Sequence, residues 1–442
     1  MLCGDRRPKI LRSRLLVLVG LVLLLSSCSF WPMLSRVEVA PAIISPNADG
    51  VDDVTLIRYR IGRAANLSIY FLDGAGQRYY FRDHQRRSPG RYEVYWGGAV
   101  NDPQVRQVGG GQIRVESRVL PDGIYTWVVE AVDDRGHQQR AAGQVTLQHA
   151  DTALPEVREF KVTPEQFRPN EDGLDDQVTI SYYLAKDVPN LRLYLIDSQR
   201  PRLKYPVILR NSNSEPGASG WHQALYDGGV HDQNGRYLAA EPPPDGTYAL
   251  YLEAEDRVGN RVVVSSTLTI SEGGRPLAEI AGGSIDWQGE MNGKVGVPVG
   301  RRLCLTAVVI NIGAVPLRTS GPWPGQAYRL TQSYRDLAAT YAEPSWAEQR
   351  GVWRFGINYD TTGVDFSFRW AIGRPEDLEQ RVIDGQSQYY LMPGRRGMVY
   401  GCIQFDVAPP VGTDRWWGGL IHESVQIAAN NVDTVSVLVG RP

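Results

Sequence analysis

Apolar and polar residues alternate with a period of two along most of this chain, in short runs separated by Gly, Pro and Asp. Thr55–Tyr59, Leu67–Phe71, Val178–Tyr182 and Leu191–Leu195 alternate in this way, and so do the longer runs Tyr125–Ala131 and Tyr248–Ala254. Val145–Leu147 and Leu268–Ile270 are shorter runs of the same kind. Side chains at i and i+2 of an extended chain share a face, so each run predicts a strand with one buried face. No run repeats at helical spacing, and the punctuation supplies turns rather than helix caps. The pattern predicts an all-β chain of tandem antiparallel β-sandwiches.

The runs fall into two matching sets. Pro46-Asn47-Ala48-Asp49-Gly50-Val51-Asp52-Asp53 returns as Pro169-Asn170-Glu171-Asp172-Gly173-Leu174-Asp175-Asp176. Pro121-Asp122-Gly123-Ile124-Tyr125 returns as Pro244-Asp245-Gly246-Thr247-Tyr248, and Glu130-Ala131-Val132-Asp133 as Glu253-Ala254-Glu255-Asp256. All three pairs keep one offset of 123 residues. A period that long marks two whole domains rather than solenoid units. The predicted modules span residues 38–150 and 156–272, with linkers near Asp151–Pro155 and Ser271–Pro276. The copies differ by an insertion around Val105–Val119 in the first and a polar loop, Asn211–Gly220, in the second. Such loops are where contacts to partners can differ between copies.

The run Pro-Asn-x-Asp-Gly-x-x-Asp, a Tyr-bearing strand, Asp-Gly-x-Tyr and Glu-Ala-x-Asp resembles the Ig-like domain of the flagellar hook-capping protein. The resemblance covers roughly half the chain. It implies an Ig-like sandwich with a spacer or assembly role and no activity of its own.

Residues 276–442 have a different composition. They hold seven of the eleven Trp: Trp287, Trp323, Trp346, Trp353, Trp370, Trp416 and Trp417. The strand-like run Leu303–Ile310, leading into Asn311-Ile312-Gly313, and a later one over 397–406 resemble bacterial cell-adhesion-related (CARDB-type) domains. The resemblance implies a third β-sandwich, decorated by the long segment 321–384. Cys304 and Cys402 sit in those two runs, which the sandwich would make antiparallel neighbours. A bridge and a pair of buried thiols are both open for them, and export favours the bridge.

Export is indicated by the first residues. Arg6, Arg7, Lys9, Arg12 and Arg14 precede an unbroken apolar run, Leu15–Leu25, too short for a permanent span. Leu25-Ser26-Ser27-Cys28 follows and resembles the bacterial lipobox, in which the Cys is acylated and becomes the mature N-terminus. That implies a leader over 1–28 and a chain anchored to the bacterial cell membrane through Cys28, facing outward. An ordinary signal peptide or an uncleaved anchor is the alternative. Net charge is −2, so no basic face speaks for nucleic acid.

Two groups of residues offer ligand chemistry. Asn47, Asp49, Asp52 and Asp53, with Asn170, Asp172, Asp175 and Asp176, cluster hard oxygens of the kind calcium takes. Neither loop has a closing bidentate Glu, and Asx turns with a left-handed Gly explain the same spacing. Trp323, Trp416 and Trp417 are candidates for stacking on sugar rings, and at most one of the adjacent pair would be core if they lie in a strand. Trp323, in Gly-Pro-Trp-Pro-Gly, is the aromatic expected to be exposed. The six His are scattered, and no hydrolase or phosphate-cradling motif is present. His422-Glu423 reads as a pair of solvent-facing polar side chains, with an acid–base corner as its rival. The sequence therefore predicts a non-catalytic surface protein that presents its third domain to a protein or envelope polysaccharide. A sugar-binding lipoprotein and a hydrolase in the third unit are the alternatives.

Overall fold

The computed structural model describes residues 32–108, 111–232, 234, 236, 238 and 241–440. Residues 1–28, read from sequence as a leader ending at Cys28, lie outside the described residues. None of the described helices is long and apolar enough to cross a membrane.

Two sheets face each other in the first module. Leu34–Ala40, Thr55–Ile61 and Gly90–Trp96 form one, and Arg78–Arg87, Ala65–Leu72, Gly123–Val132 and Gln138–Leu147 lie in the other. The alternation predicted from sequence is the burial pattern observed: Ile57, Tyr59, Leu67, Ile69, Val129 and Val145 point into one core, where Trp96 stacks on Phe71. The module starts at Leu34, ahead of residue 38, and Met33 is fully buried.

The second module repeats this plan. Val157–Thr163, Val178–Leu184 and Gly220–Tyr226 oppose Asn190–Asp197, Gly246–Glu255 and Arg261–Ile270, with Ile180, Tyr182, Leu195, Leu250 and Leu268 inside.

The insertion of the first module joins the two. Its strands Ala99–Val108 and Gly111–Val119 form a hairpin whose second strand pairs antiparallel with Arg261–Val263 of the second module. A twelve-stranded sheet thus runs through both modules. Ile113 and Val115 pack into the second module's core. The segment read from sequence as a site for partner contacts instead makes a contact within the chain, completing its neighbour. The two modules otherwise keep separate cores.

The third unit is also a sandwich. A five-stranded sheet centred on Arg302–Asn311 and Arg396–Gln404 faces a nine-stranded sheet containing Gln426–Gly440, Arg415–His422, Trp353–Tyr359 and Gln386–Leu391. Cys304 lies directly opposite Cys402 in antiparallel strands, and the two are disulfide-bonded with Cα atoms 4.1 Å apart. The segment 321–384 adds the α-helix Tyr334–Thr340, whose start is fixed by a capping box between Ser333 and Asp336.

Candidate functional site

The repeated signatures are turn and junction devices. In the first copy both carboxylate oxygens of Asp53 accept backbone N–H groups, from Asn47 (3.2 Å), Ala48 (2.7 Å) and Gly50 (2.8 Å). Asn47 Oδ1 accepts from Asp49 N (2.9 Å), Asp49 Oδ1 from Val51 N (2.8 Å), and Asp52 adopts a left-handed φ of 54°. The second copy repeats the weave: Asn170 accepts from Asp172 N, Asp172 from Leu174 N and Asp176 from Gly173 N, with Asp175 left-handed. These oxygens satisfy a tight loop's own backbone, as Asx turns do. Among the described residues no group of three or more His, Cys, Asp or Glu side chains is gathered as a metal ion requires.

The Asp-Gly-x-Tyr motif fixes how the chain leaves each module. Tyr125 and Tyr248 donate their hydroxyls to the carbonyls of Pro121 and Pro244, four residues back. Asp122 accepts the N–H groups of His149 and Ala150, and Asp245 those of Glu272 and Gly273. Asp133 and Asp256 close their hairpin turns onto the N–H groups of residues 135 and 137, and of 258 and 260.

The two acidic loops differ in surroundings. Nothing lies within 4 Å of the Cβ position of Gly50, whereas a Cβ on Gly173 would sit 2.1 Å from the Arg350 carbonyl oxygen. The second loop is wedged against the third unit. Asp172 is 2% exposed and accepts from the Tyr390 hydroxyl, while Glu171 offers its carbonyl to His422 Nε2 at 2.8 Å. Arg381 bridges to Glu272 at 2.8 Å. Burial pushes Asp176 up to about 7, with Asp172 adding to the rise, and lowers His422 to about 4.

His422-Glu423 is therefore not surface decoration; both side chains are 1% exposed. Glu423 receives two guanidinium groups, Arg354 at 3.1 Å and Arg369 at 2.6 Å. Arg354 also donates to the carbonyls of Ser320 (2.7 Å), Ser345 (3.2 Å) and Ala347 (2.6 Å). A buried ion network with its donors engaged this way organises structure. Here it ties the turn at Ser320 and the loop Ser345–Ala347 to the nine-stranded sheet. Sequence reasoning missed Arg354 and Arg369, since a lone Arg in an alternating run reads as an outward-facing residue.

Those loops wall a cleft of 270 Å³. Trp323 and Tyr389 stand edge to face beside it with ring centroids 5.2 Å apart, both half-buried. Glu343, Gln349, Gln386 and Gln388 bring polar side chains, and the buried Trp346 and Thr319 form its inner part. Trp323 was expected to be exposed; it is half-buried, packed against the core with part of its ring open to the cleft. Trp416 is not open at all: it is fully buried, stacked 4.7 Å from Tyr359 and packed on Phe368, so its ring faces cannot meet a ligand. Trp417 points to the other face of the same strand and donates to Asn430 Oδ1 at 2.9 Å, away from the cleft.

No family model matches this chain, and no curated protein does. Among solved structures it is similar to a tetra-tandem repeat from the extending region of a large adhesion protein (13% identity, 87% of this chain and 81% of that one, TM-score 0.18). A Ca²⁺-stabilised adhesin with which an Antarctic bacterium binds ice matches at 11% identity over 92% of this chain and 74% of that one, TM-score 0.20. The Bacteroides ovatus mixed-linkage glucan utilisation protein SGBP-B matches at 10% identity over 94% and 70%, TM-score 0.14.

Proposed function

We propose that this chain is an exported, lipid-anchored, non-catalytic surface protein in which two Ig-like modules hold a binding domain, residues 276–442, away from the membrane. The observation that carries this is how the polar motifs are used. In both modules the Asn-x-Asp-Gly, Asp-Gly-x-Tyr and Glu-Ala-x-Asp signatures close turns or pin linkers. The converging charges of the third unit, Arg354, Arg369 and Glu423, are buried and paired with one another. Open polar and aromatic side chains are gathered instead in the cleft beside Trp323. A partner held there is a protein or an envelope polysaccharide. The leader and Cys28 supply the membrane end, through acyl chains rather than a spanning helix.

Anchoring is tested by feeding cells an alkyne-tagged fatty acid. The intact protein should take up label and sediment with membranes, and Cys28→Ser should do neither. Equal labelling of both would end the lipid-anchor reading.

A further inference from the structure

The cleft beside Trp323 has a chemistry that narrows its ligand. Its lining combines two half-buried aromatic rings with hydroxyl and amide groups: Ser320, Ser345, Ser387, Gln349, Gln386 and Gln388. None of the lining residues is Lys or Arg, and its one charged side chain is Glu343. An acidic ligand would meet a carboxylate and no cation there. An amide presents both donors and acceptors, so it suits hydroxyl groups, which are both as well. Aromatic faces suit the apolar C–H face of a pyranose ring. At 270 Å³ the cleft falls just below the ~300–1,000 Å³ of sites that enclose drug-sized ligands, which fits about one sugar ring with the rest of a chain outside.

The side chains facing this space have capacity to spare. Glu343, Gln349 and Gln386 have no side-chain hydrogen bond among the described residues, and neither does Trp323 Nε1. Gln388 alone of the three glutamines is engaged, accepting from Arg318 at 3.3 Å. Behind them the cleft wall is tied down by hydrogen bonds. Arg354, itself fully buried and held by Glu423, fixes the carbonyls of Ser320, Ser345 and Ala347. The backbone wall is held before binding, while the unbonded glutamines give up rotamer freedom when they engage a ligand.

From this we infer that the cleft formed by Trp323, Tyr389, Gln349 and Gln386 is a binding site for an uncharged polysaccharide, with a ring face of the perpendicular Trp323–Tyr389 pair for stacking and the glutamines as hydroxyl readers. This rests on taking the third unit as the binding domain, and it names the class of partner that domain takes.

The test is affinity electrophoresis of the detergent-extracted full-length protein through gels containing a neutral glucan, galactan or mannan, or an acidic alginate or polygalacturonate. At least one neutral polymer should retard the protein and the acidic ones should not. Trp323→Ala and Tyr389→Ala should each weaken retardation by about tenfold, Gln349→Ala by less, and Trp323→Phe should restore most of it. Melting temperatures taken alongside identify a variant that has lost its fold, and Gln349→Ala, at the rim, then decides the matter. Retardation by acidic polymers only, by none, or equally in Trp323→Ala and the parent would overturn the site. Those results leave the lipid-anchor reading standing if Cys28-dependent labelling persists; lost labelling with intact retardation would do the reverse.

Discussion

At the scale of single residues, the junction between the second and third units places two titratable groups in conflict. Asp176 is raised to about 7 because burial and the neighbouring Asp172 penalise its carboxylate. The folded chain therefore holds that proton more tightly than the unfolded one, so its stabilisation is complete below the ordinary carboxyl range and fades as pH rises through about 7. His422, lowered to about 4 by burial, contributes above its ordinary value and is lost as pH falls from there through about 4. Asp176→Asn removes the first effect alone. Its melting temperature should gain on the parent steadily as pH is raised from 4 to 8, and a pH-independent difference would show that Asp176 is charged throughout. Legibility was uneven at this scale. The turn that carries Trp323 followed from flanking prolines and glycines, but the half-buried setting of its ring, packed on Tyr389, did not. The burial of Trp416 and of the Arg354–Glu423 pair did not, because a sandwich's edge and centre strands share one alternation and only the partner across the sheet tells them apart.

Among the elements, the repeated loop shows one sequence serving two surroundings. Gly50 and Gly173 both have left-handed φ, 88° and 83°, but only Gly173 lies against another unit. Gly50→Ala should cost about 1–2 kcal/mol from backbone strain alone. Gly173→Ala adds a collision with the Arg350 carbonyl, and should separate the unfolding of the third unit from that of the second in calorimetry. A single unchanged transition in Gly173→Ala would contradict the tight docking of that loop. Strands and turns of the Ig-like modules were legible because period-two alternation and Asp-Gly turns are local signals, and the duplication repeated them. The Cys304 and Cys402 strands were legible as alternating runs, and their antiparallel pairing was what the expected sandwich implied. The hairpin Ala99–Val119 was not: its pairing with Arg261–Val263 spans over a hundred residues, and its own alternation does not say which sheet edge it extends.

For the whole molecule, these contacts set the three units in series. The hairpin strand splices the first sheet onto the second, and Asn260 joins that splice to the linker by accepting from Val119 N and donating to the Asp151 carbonyl. The second unit is held to the third by the Gly173 loop, His422 and the Glu272–Arg381 pair. Pinned linkers of this kind suit a stalk, whose use is to keep orientation as well as distance. On the proposed reading an acylated Cys28 stands at one end of this series and the open cleft at the other. Protease treatment of intact cells, with the released and retained peptides mapped by mass spectrometry, tests this most directly. Peptides from residues 276–442 should be released while an acylated peptide beginning at Cys28 stays with the membrane; a third unit fully protected in intact cells, or a mature N-terminus without lipid, would contradict it.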